Sequence, residues 1–162
     1  MKLAEEFKIV PVANQLDLNG SATNPCDSIN MKGYHRATFI CQLGTLGGAA
    51  MYCEVFSGAT NAALTSSLTY RYALGGAATG SANCDVLATA AAGTAATTFA
   101  HATYDDYMLI VEVDASDMDI ANGEEWLTLS FPDTAGGSTG NVTAFAILEP
   151  RYSSDSSATA LA

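Results

Sequence analysis

Hydrophobic and polar residues alternate with a period of two along most of the chain. The pattern covers Arg36 to Leu43, Met51 to Phe56, Leu68 to Leu74, YMLIVEVD (Tyr107 to Asp114), EWLTLSF (Glu125 to Phe131) and NVTAFAILE (Asn141 to Glu149). Successive side chains of a strand point to opposite faces, so each segment is predicted to be a strand with one face toward a core. Short links made of turn-forming residues join these strands. The sequence therefore predicts an all-β protein, an antiparallel two-sheet β-sandwich or a jelly roll.

Two segments lack a clear alternation. LATAAAGTAATT, from Leu87 to Thr98, mixes helix-favouring Ala with Thr and Gly, and we expect a loop or a short strand there. DASDMDIANGEE, from Asp114 to Glu125, could hold one helical turn capped by Ser116. We expect this second segment to bridge two strands.

The pattern divides the chain into three parts: an extended N-terminal arm (1–27), a β-sandwich domain (28–152) and a tail (153–162). The arm carries the apolar residues Phe7, Ile9, Val10 and Val12, which have no evident local partner in the sequence. They are predicted to form a partner interface with a neighbouring subunit, and the equally weighted alternative is that the arm is an edge strand of its own sandwich. The tail, SSDSSATALA, has little to fold around.

Composition restricts the partners that the chain can bind. The 162 residues carry 17 Asp and Glu against 6 Lys and Arg, a formal net charge of −11. Nucleic-acid binding needs clustered cations, so it is excluded. A membrane span is also excluded, because no apolar run reaches the roughly 18 residues that a bilayer requires. The acidic residues near the N-terminus do not suit a signal peptide, and we expect synthesis in the cytoplasm.

Metal and cofactor sites are not expected. Cys26, Cys41, Cys53 and Cys84 form no CxxC pair, so we predict buried free thiols rather than a zinc site. The weak metal candidates are Asp114, Asp117 and Asp119, whose oxygens suit calcium. The spacing does not fit an EF-hand loop, and a solvated acidic turn is the favoured interpretation.

The sequence contains no GxxxxGK[ST] or HExxH motif, and no nucleophile elbow is expected, because its GGSTG (Gly136 to Gly140) lies in the turn-forming link PDTAGGSTG. The only two histidines, His35 and His101, have no evident catalytic partners in the sequence, and we expect neither to be catalytic. The chain is therefore predicted not to be an enzyme. Trp126 is expected to anchor the core, although exposed aromatics could instead form a sugar-binding platform.

Four segments resemble small β-rich head proteins of tailed bacteriophages: DSINMKGYHRATFICQLGTLGG (Asp27 to Gly48), YMLIVEVDASDMD (Tyr107 to Asp119), EWLTLSF and VTAFAILEPRY. The shared pattern is S-x-x-M-K-x-Y-x-x-A-x-F followed later by I-x-E-V-D-A. Members of this group look like capsid decoration, or cement, proteins. The resemblance implies a virion protein on the outer capsid surface, made in the host cytoplasm, which binds the major capsid protein and forms homo-oligomers, with a trimer favoured.

Another function of a different class stays open. The chain could be a fibre or adhesive module that binds carbohydrate, and such a module would need exposed aromatics around Trp126 or along the face of Tyr70 and Tyr72. Glycan retention that depends on these rings would distinguish it from a capsid decoration protein.

Overall fold

Short strands and very little helix make up this protein. The computed structural model describes residues 3–19, 22–48, 50–78, 84–95, 97–134 and 136–152. The strands are β1 (Lys8–Asp17), β2 (Ile29–Asn30), β3 (Tyr34–Leu43), β4 (Met51–Tyr52), β5 (Glu54–Gly58), β6 (Ser66–Ser67), β7 (Tyr70–Ala77), β8 (Ala91–Gly93), β9 (Thr98–Phe99), β10 (Tyr107–Asp114), β11 (Trp126–Ser130) and β12 (Asn141–Pro150). Two four-residue helices, α1 (Leu3–Glu6) and α2 (His101–Tyr104), complete the set. Within these ranges no helix has the length and apolar character needed to cross a membrane.

Two antiparallel sheets hold most of these strands. The larger sheet has the order β1-β12-β3-β10-β7-β8, the smaller sheet has the order β2-β11-β5-β6, and β4 pairs with β9 apart from both. The chain crosses between the sheets from β1 to β2, from β2 to β3, from β3 to β5, from β6 to β7, from β10 to β11 and from β11 to β12. The predicted all-β class and antiparallel two-sheet sandwich are confirmed. The jelly-roll form of the sandwich stays a prediction.

One hydrophobic core lies between the sheets. Its side chains come from alternate positions of the central strands, including Ala37, Phe39, Cys41 and Leu43 of β3, Leu109, Val111 and Val113 of β10, Val142, Ala144, Ala146 and Leu148 of β12, and Leu127 and Leu129 of β11. Large and small residues face each other across strands, since Phe39 pairs with Ala146 on one side and Val111 on the other. This alternation fills the interior at high density.

Residues 8–17 form an edge strand of the larger sheet. β1 pairs with β12 from Lys8 opposite Leu148 to Asp17 opposite Asn141. Val12 is only 3% exposed and belongs to the core, so this side chain packs within its own chain and is not free to meet a neighbour. The structure thus shows the edge-strand arrangement for this segment. The tail 153–162 lies outside the described residues.

The two segments without alternation form minor elements. β8 pairs with β7 inside the Ala- and Thr-rich segment, so that segment contains a short strand. Between β10 and β11 the chain makes two 3₁₀ turns, Ala115–Asp117 and Ile120–Asn122. Ser116 lies inside the first turn and Asp114 occupies the N-cap position without a side-chain cap, so the predicted capping by Ser116 is wrong.

Candidate interaction surface

An apolar row crosses the outer face of the larger sheet. The register places Pro11 of β1 opposite Phe145 of β12, Phe145 opposite Ile40 of β3, and Ile40 opposite Ile110 of β10. Ile110 in turn lies opposite Ala73 of β7. Directly opposite residues in an antiparallel pair share a face. These five side chains, here called the apolar row, therefore lie side by side across five strands, on the face that points away from the core.

The apolar row is open to solvent at its β1 and β12 end. Pro11 is exposed and Phe145 is 46% exposed, Ile40 and Ile110 are half-buried between their neighbours, and Ala73 at the β7 end is buried. Beside the row, Ile9 lies opposite Ile147 and is 44% exposed. Within the part of the chain that the structure describes, no further layer covers Phe145 or Ile9. A contiguous exposed apolar band of this kind is typical of a protein contact surface.

Charged residues follow the apolar row at one end of the same face. Arg71 lies opposite Glu112, and Arg36 lies between Asp114 and Glu149. These five residues are called the charged end. Arg36 Nε donates to Asp114 Oδ1 at 2.7 Å. This hydrogen bond, together with the carboxylate charge, raises the pKa of Arg36 above its ordinary value, so the guanidinium stays protonated.

Two clefts flank the charged end. One, of about 950 Å³, is lined by residues that include His35, Arg151 and Tyr152, and the other, of about 400 Å³, includes Arg71. Arg36 and Asp114 line both clefts. All three arginines of the chain therefore meet at this end of the sheet. Because the cross-strand partners of Arg36 and Arg71 are carboxylates, the arrangement is a ladder of alternating charge and not an anion site.

The outer face of the smaller sheet is closed by the chain's own loops. Thr128 and Ser130 of β11 alternate with the core residues Leu127 and Leu129, and all four are fully buried. Thr128 Oγ1 and Ser28 Oγ lie 2.7 Å apart in a hydrogen bond. The Ser130 hydroxyl donates to the Thr23 carbonyl oxygen. We call Thr128, Ser130 and their partners Ser28 and Thr23 the closed face.

A buried carboxylate joins three segments beside the smaller sheet. Glu124 is 5% exposed, and it accepts hydrogen bonds from Ser57 Oγ at 2.6 Å and from Ser66 Oγ at 3.1 Å. These bonds tie β5 and β6 to the turn before β11. Ser57 is fully buried, so no substrate can reach it as a nucleophile would require. The cluster is a structural clamp.

The three weak metal candidates do not converge on one site. Asp114 is held by Arg36, and Asp119 Oδ2 accepts from Asn122 Nδ2 at 2.7 Å. Asp117 is exposed. Among the described residues no group of three or more His, Cys, Asp and Glu side chains could hold a metal ion.

The predicted buried free thiols are confirmed for Cys26, Cys41 and Cys53, but the prediction of burial is wrong for Cys84, which is an exposed free thiol. Burial raises the pKa of Cys26 and of Cys53 to about 12. Burial also raises the pKa of Cys41 well above its ordinary value. Thiols of this kind stay protonated at neutral pH and are poor nucleophiles and poor metal ligands.

The aromatics proposed for a sugar-binding platform are largely enclosed. Tyr70 is 3% exposed, and its hydroxyl donates to the Cys53 carbonyl oxygen at 2.7 Å. Tyr72 packs edge to face against Phe99, with ring centroids 5.4 Å apart. Trp126 is half-buried at the start of β11. Tyr70 therefore cannot stack on a ligand, and the structure does not join these rings into one exposed face.

Of the four predicted interface residues, Ile9 is the most exposed, Phe7 and Val10 are half-buried, and Val12 is in the core. The sequence pattern did not reveal the residues that share this face with Ile9, which are its opposite residue Ile147 and, farther along the sheet, Phe145, Ile40 and Ile110. A signal was present, because NVTAFAILE carries apolar residues at both of its alternating sets of positions. A strand that is apolar on both faces needs a cover on both.

Comparison with known proteins adds no relative: no protein-family model, curated protein or solved structure matches this chain.

Proposed function

We propose that this chain is a structural virion protein that decorates the outside of a phage capsid and stabilises the shell by binding the major capsid protein and neighbouring copies of itself. The observation that carries the proposal is the uncovered apolar row on the larger sheet. Although the chain has 17 acidic residues, two solvent-facing positions on this sheet are occupied by the apolar side chains of Phe145 and Ile9. Exposing apolar side chains to water is unfavourable in free energy, and this penalty is removed when another protein covers them.

The rest of the described structure supports an interaction role. Every buried side-chain nitrogen and oxygen in the described ranges has a hydrogen-bond partner. The buried polar groups of Glu124, Thr128 and Ser130 form hydrogen bonds that connect loops and strands within the chain. These polar groups therefore serve the fold, as expected for a protein whose role is to contact other subunits.

Shell stabilisation would come from repetition. A single small contact contributes modest free energy, but many copies on one lattice add their contacts, and linked copies gain from effective concentration. The resemblance to phage head proteins supplies the expected partner, the major capsid protein, and the expected place, the outer surface of the virion.

Quantitative mass spectrometry of purified particles tests the proposal. The expected result is a simple lattice ratio of this chain to the major capsid protein. A handful of copies per particle would indicate a vertex or fibre protein, and absence from particles would contradict a virion role altogether.

A second measurement tests stabilisation separately from presence. Particles assembled without this chain are expected to release their genome at a lower temperature than complete particles, and adding the purified chain back is expected to restore the resistance. Shells that withstand the same heating without the chain would contradict the stabilising role.

A further inference from the structure

We infer that the apolar row is covered by the same face of a second copy of this chain, in a face-to-face pair related by a twofold axis. The inference rests on the proposed function in one respect, since both treat the apolar row as an assembly surface. It names the occupant of that surface, which the proposed function leaves open between the capsid protein and a neighbouring copy.

The distribution of charge favours a second copy. The apolar row is uncharged, and the charged end holds two arginines and three carboxylates, a local charge of −1, whereas the whole chain carries −11. Two identical acidic chains can therefore meet on the apolar row without bringing like charges into direct contact at its centre. A strongly basic partner would be attracted to the acid-rich remainder of the surface instead.

The charged end is also suited to a copy of itself. It presents Arg36 and Arg71 together with Glu112, Asp114 and Glu149, so both signs are available on each copy. An isologous contact brings one patch against the same patch, which requires self-complementarity. Rim charges of both signs meet that requirement and fix the relative position of the copies more than they add affinity.

Pairing through the sheet edges is a weaker route than pairing through the face. β1 has Pro11, which lacks an N–H donor, and register shifts between Pro11 and Ala13 and between Ala13 and Leu16. The carbonyl oxygen of Val12 already accepts from the Asp27 N–H at 2.8 Å. At the opposite edge, β8 has only three residues. Proline, irregular register and short length all protect an edge against added strands.

The size of the face agrees with a pair of modest affinity. Six strands, spaced about 4.8 Å apart, make a sheet roughly 25 Å wide. Strands of eight to ten residues are about 26 to 34 Å long. A standard interface buries about 800 Å² per partner, which a face of this size can supply only if most of it is used. We therefore expect association in the micromolar range.

Sedimentation velocity of the recombinant chain across about 1 to 200 µM tests the pair. We expect a reversible monomer–dimer equilibrium that strengthens when added salt screens the net repulsion. Phe145→Glu should weaken dimerisation by at least tenfold. The matched control is Thr60→Glu, which adds the same charge at an exposed side chain between β5 and β6, beside the smaller sheet, and should change dimerisation by less than twofold.

A cross-linking measurement keeps the test decisive if Phe145→Glu disturbs folding. In a Cys84→Ser background, Phe145→Cys copies should be joined by a short bis-maleimide, and Thr60→Cys copies should not. A chain that stays monomeric at every concentration would overturn the inference, and so would a dimer that Phe145→Glu leaves intact. A solution trimer would also overturn it, because a twofold face contact closes at two copies.

The two proposals fail separately. A dimer in solution with no chain in purified particles keeps the inference and removes the virion role. A lattice ratio in particles together with a monomeric chain in solution keeps the virion role and removes the inference.

Discussion

The outer faces of the two sheets differ in both polarity and exposure. On the smaller sheet, the outward-pointing Thr128 and Ser130 are polar, yet they are fully buried under the chain's own loops. On the larger sheet, the outward-pointing Phe145 and Ile40 are apolar, yet Phe145 is 46% exposed. Polarity alone would predict the reverse on both sheets.

The contrast separates contacts made for folding from surface left for a partner. The closed face is complete at its centre, because the hydroxyls of Thr128 and Ser130 are fully buried and have found partners within the chain. The apolar row is incomplete, because its side chains cover only one another. The face whose chemistry is left unsatisfied in the single chain is therefore the better candidate for a contact between molecules.

The largest difference in stability is expected between alanine substitutions at two phenylalanines on adjacent strands. Phe39 of β3 is fully buried in the core, and Phe145 of β12 points the other way. We expect Phe39→Ala to lower the free energy of unfolding by about 3–5 kcal/mol. Phe145→Ala should cost less than about 1 kcal/mol in dilute monomer, because its side chain is already half in water. Urea denaturation at low concentration measures both, and equal losses would contradict the contrast between faces.

The buried thiols should make the core sensitive to alkali. The pKa of Cys26 and of Cys53 is about 12 in the folded chain against an ordinary value of 9. A pKa raised by folding means that the protonated thiol is favoured in the folded state, so its contribution to stability is complete below pH 9 and is lost as the pH rises to about 12. Denaturation midpoints from pH 7 to 11 check this expectation. Cys26→Ala and Cys53→Ala should each reduce the alkaline loss, whereas Cys84→Ala, at an exposed site, should not.

Removing the buried clamp should cost less than emptying the core at Phe39. Glu124→Ala leaves the hydroxyls of Ser57 and Ser66 without their acceptor, and we expect a loss of about 2–3 kcal/mol. Glu125→Ala is the matched control at the next, half-buried position, and it should cost less than about 1 kcal/mol. A double-mutant cycle with Ser57→Ala isolates the bond itself, and additive losses in that cycle would mean that the bond contributes nothing.

The local sequence pattern predicted where the strands lie, but it did not predict which side chains on their outer faces stay exposed. The predicted Tyr107 to Asp114 segment is β10 with the same bounds, because strict alternation marks a half-buried strand. In β12 one set of positions is wholly apolar and marks the core face, but the other set also contains Phe145 and Ile147, and the pattern does not say whether these two are covered. The interior takes the small Ala144 and Ala146, since Cys41 and Phe39 of β3 lie opposite them, and the larger Phe145 is left outside.

The two-residue strands and the closed face were beyond the reach of sequence patterns. β2, β6 and β9 are too short to show a period, and they exist because long-range partners supply their hydrogen bonds. The partner of Thr128 is Ser28, 100 residues away, and a polar residue on a strand is ordinarily assigned to solvent. The apolar row likewise combines residues from five separate strands, which only the register brings together.

A smaller difference in stability is expected between valine substitutions at two threonines that occupy outward-pointing positions. Thr128→Val removes the hydroxyl that bonds Ser28 on the closed face, and we expect a loss of about 1–2 kcal/mol. Thr38 of β3, the matched control, is half-buried beside the apolar row, and Thr38→Val should change stability by less than about 0.5 kcal/mol. Thr38→Val should also strengthen dimerisation, because it widens the apolar band. Thermal melting and sedimentation of the two variants test both statements.

The smallest effect is expected at the charged end. Arg36 and Asp114 are joined at 2.7 Å, but their side chains are 46% and 47% exposed, so water and salt screen the pair. We expect Asp114→Asn to cost about 0.5 kcal/mol at low ionic strength and almost nothing in 0.5 M salt. Asp117→Asn, which removes an exposed acid from the same turn, should be neutral or slightly stabilising, because the chain carries −11 and loses one repelling charge. Urea denaturation at two salt concentrations measures the difference between the two variants. A cost that survives high salt would mean that the short hydrogen bond from Arg36 Nε to Asp114 Oδ1, and not the screened attraction between the charges, makes the contribution, as the hydroxyl bonds do at Glu124.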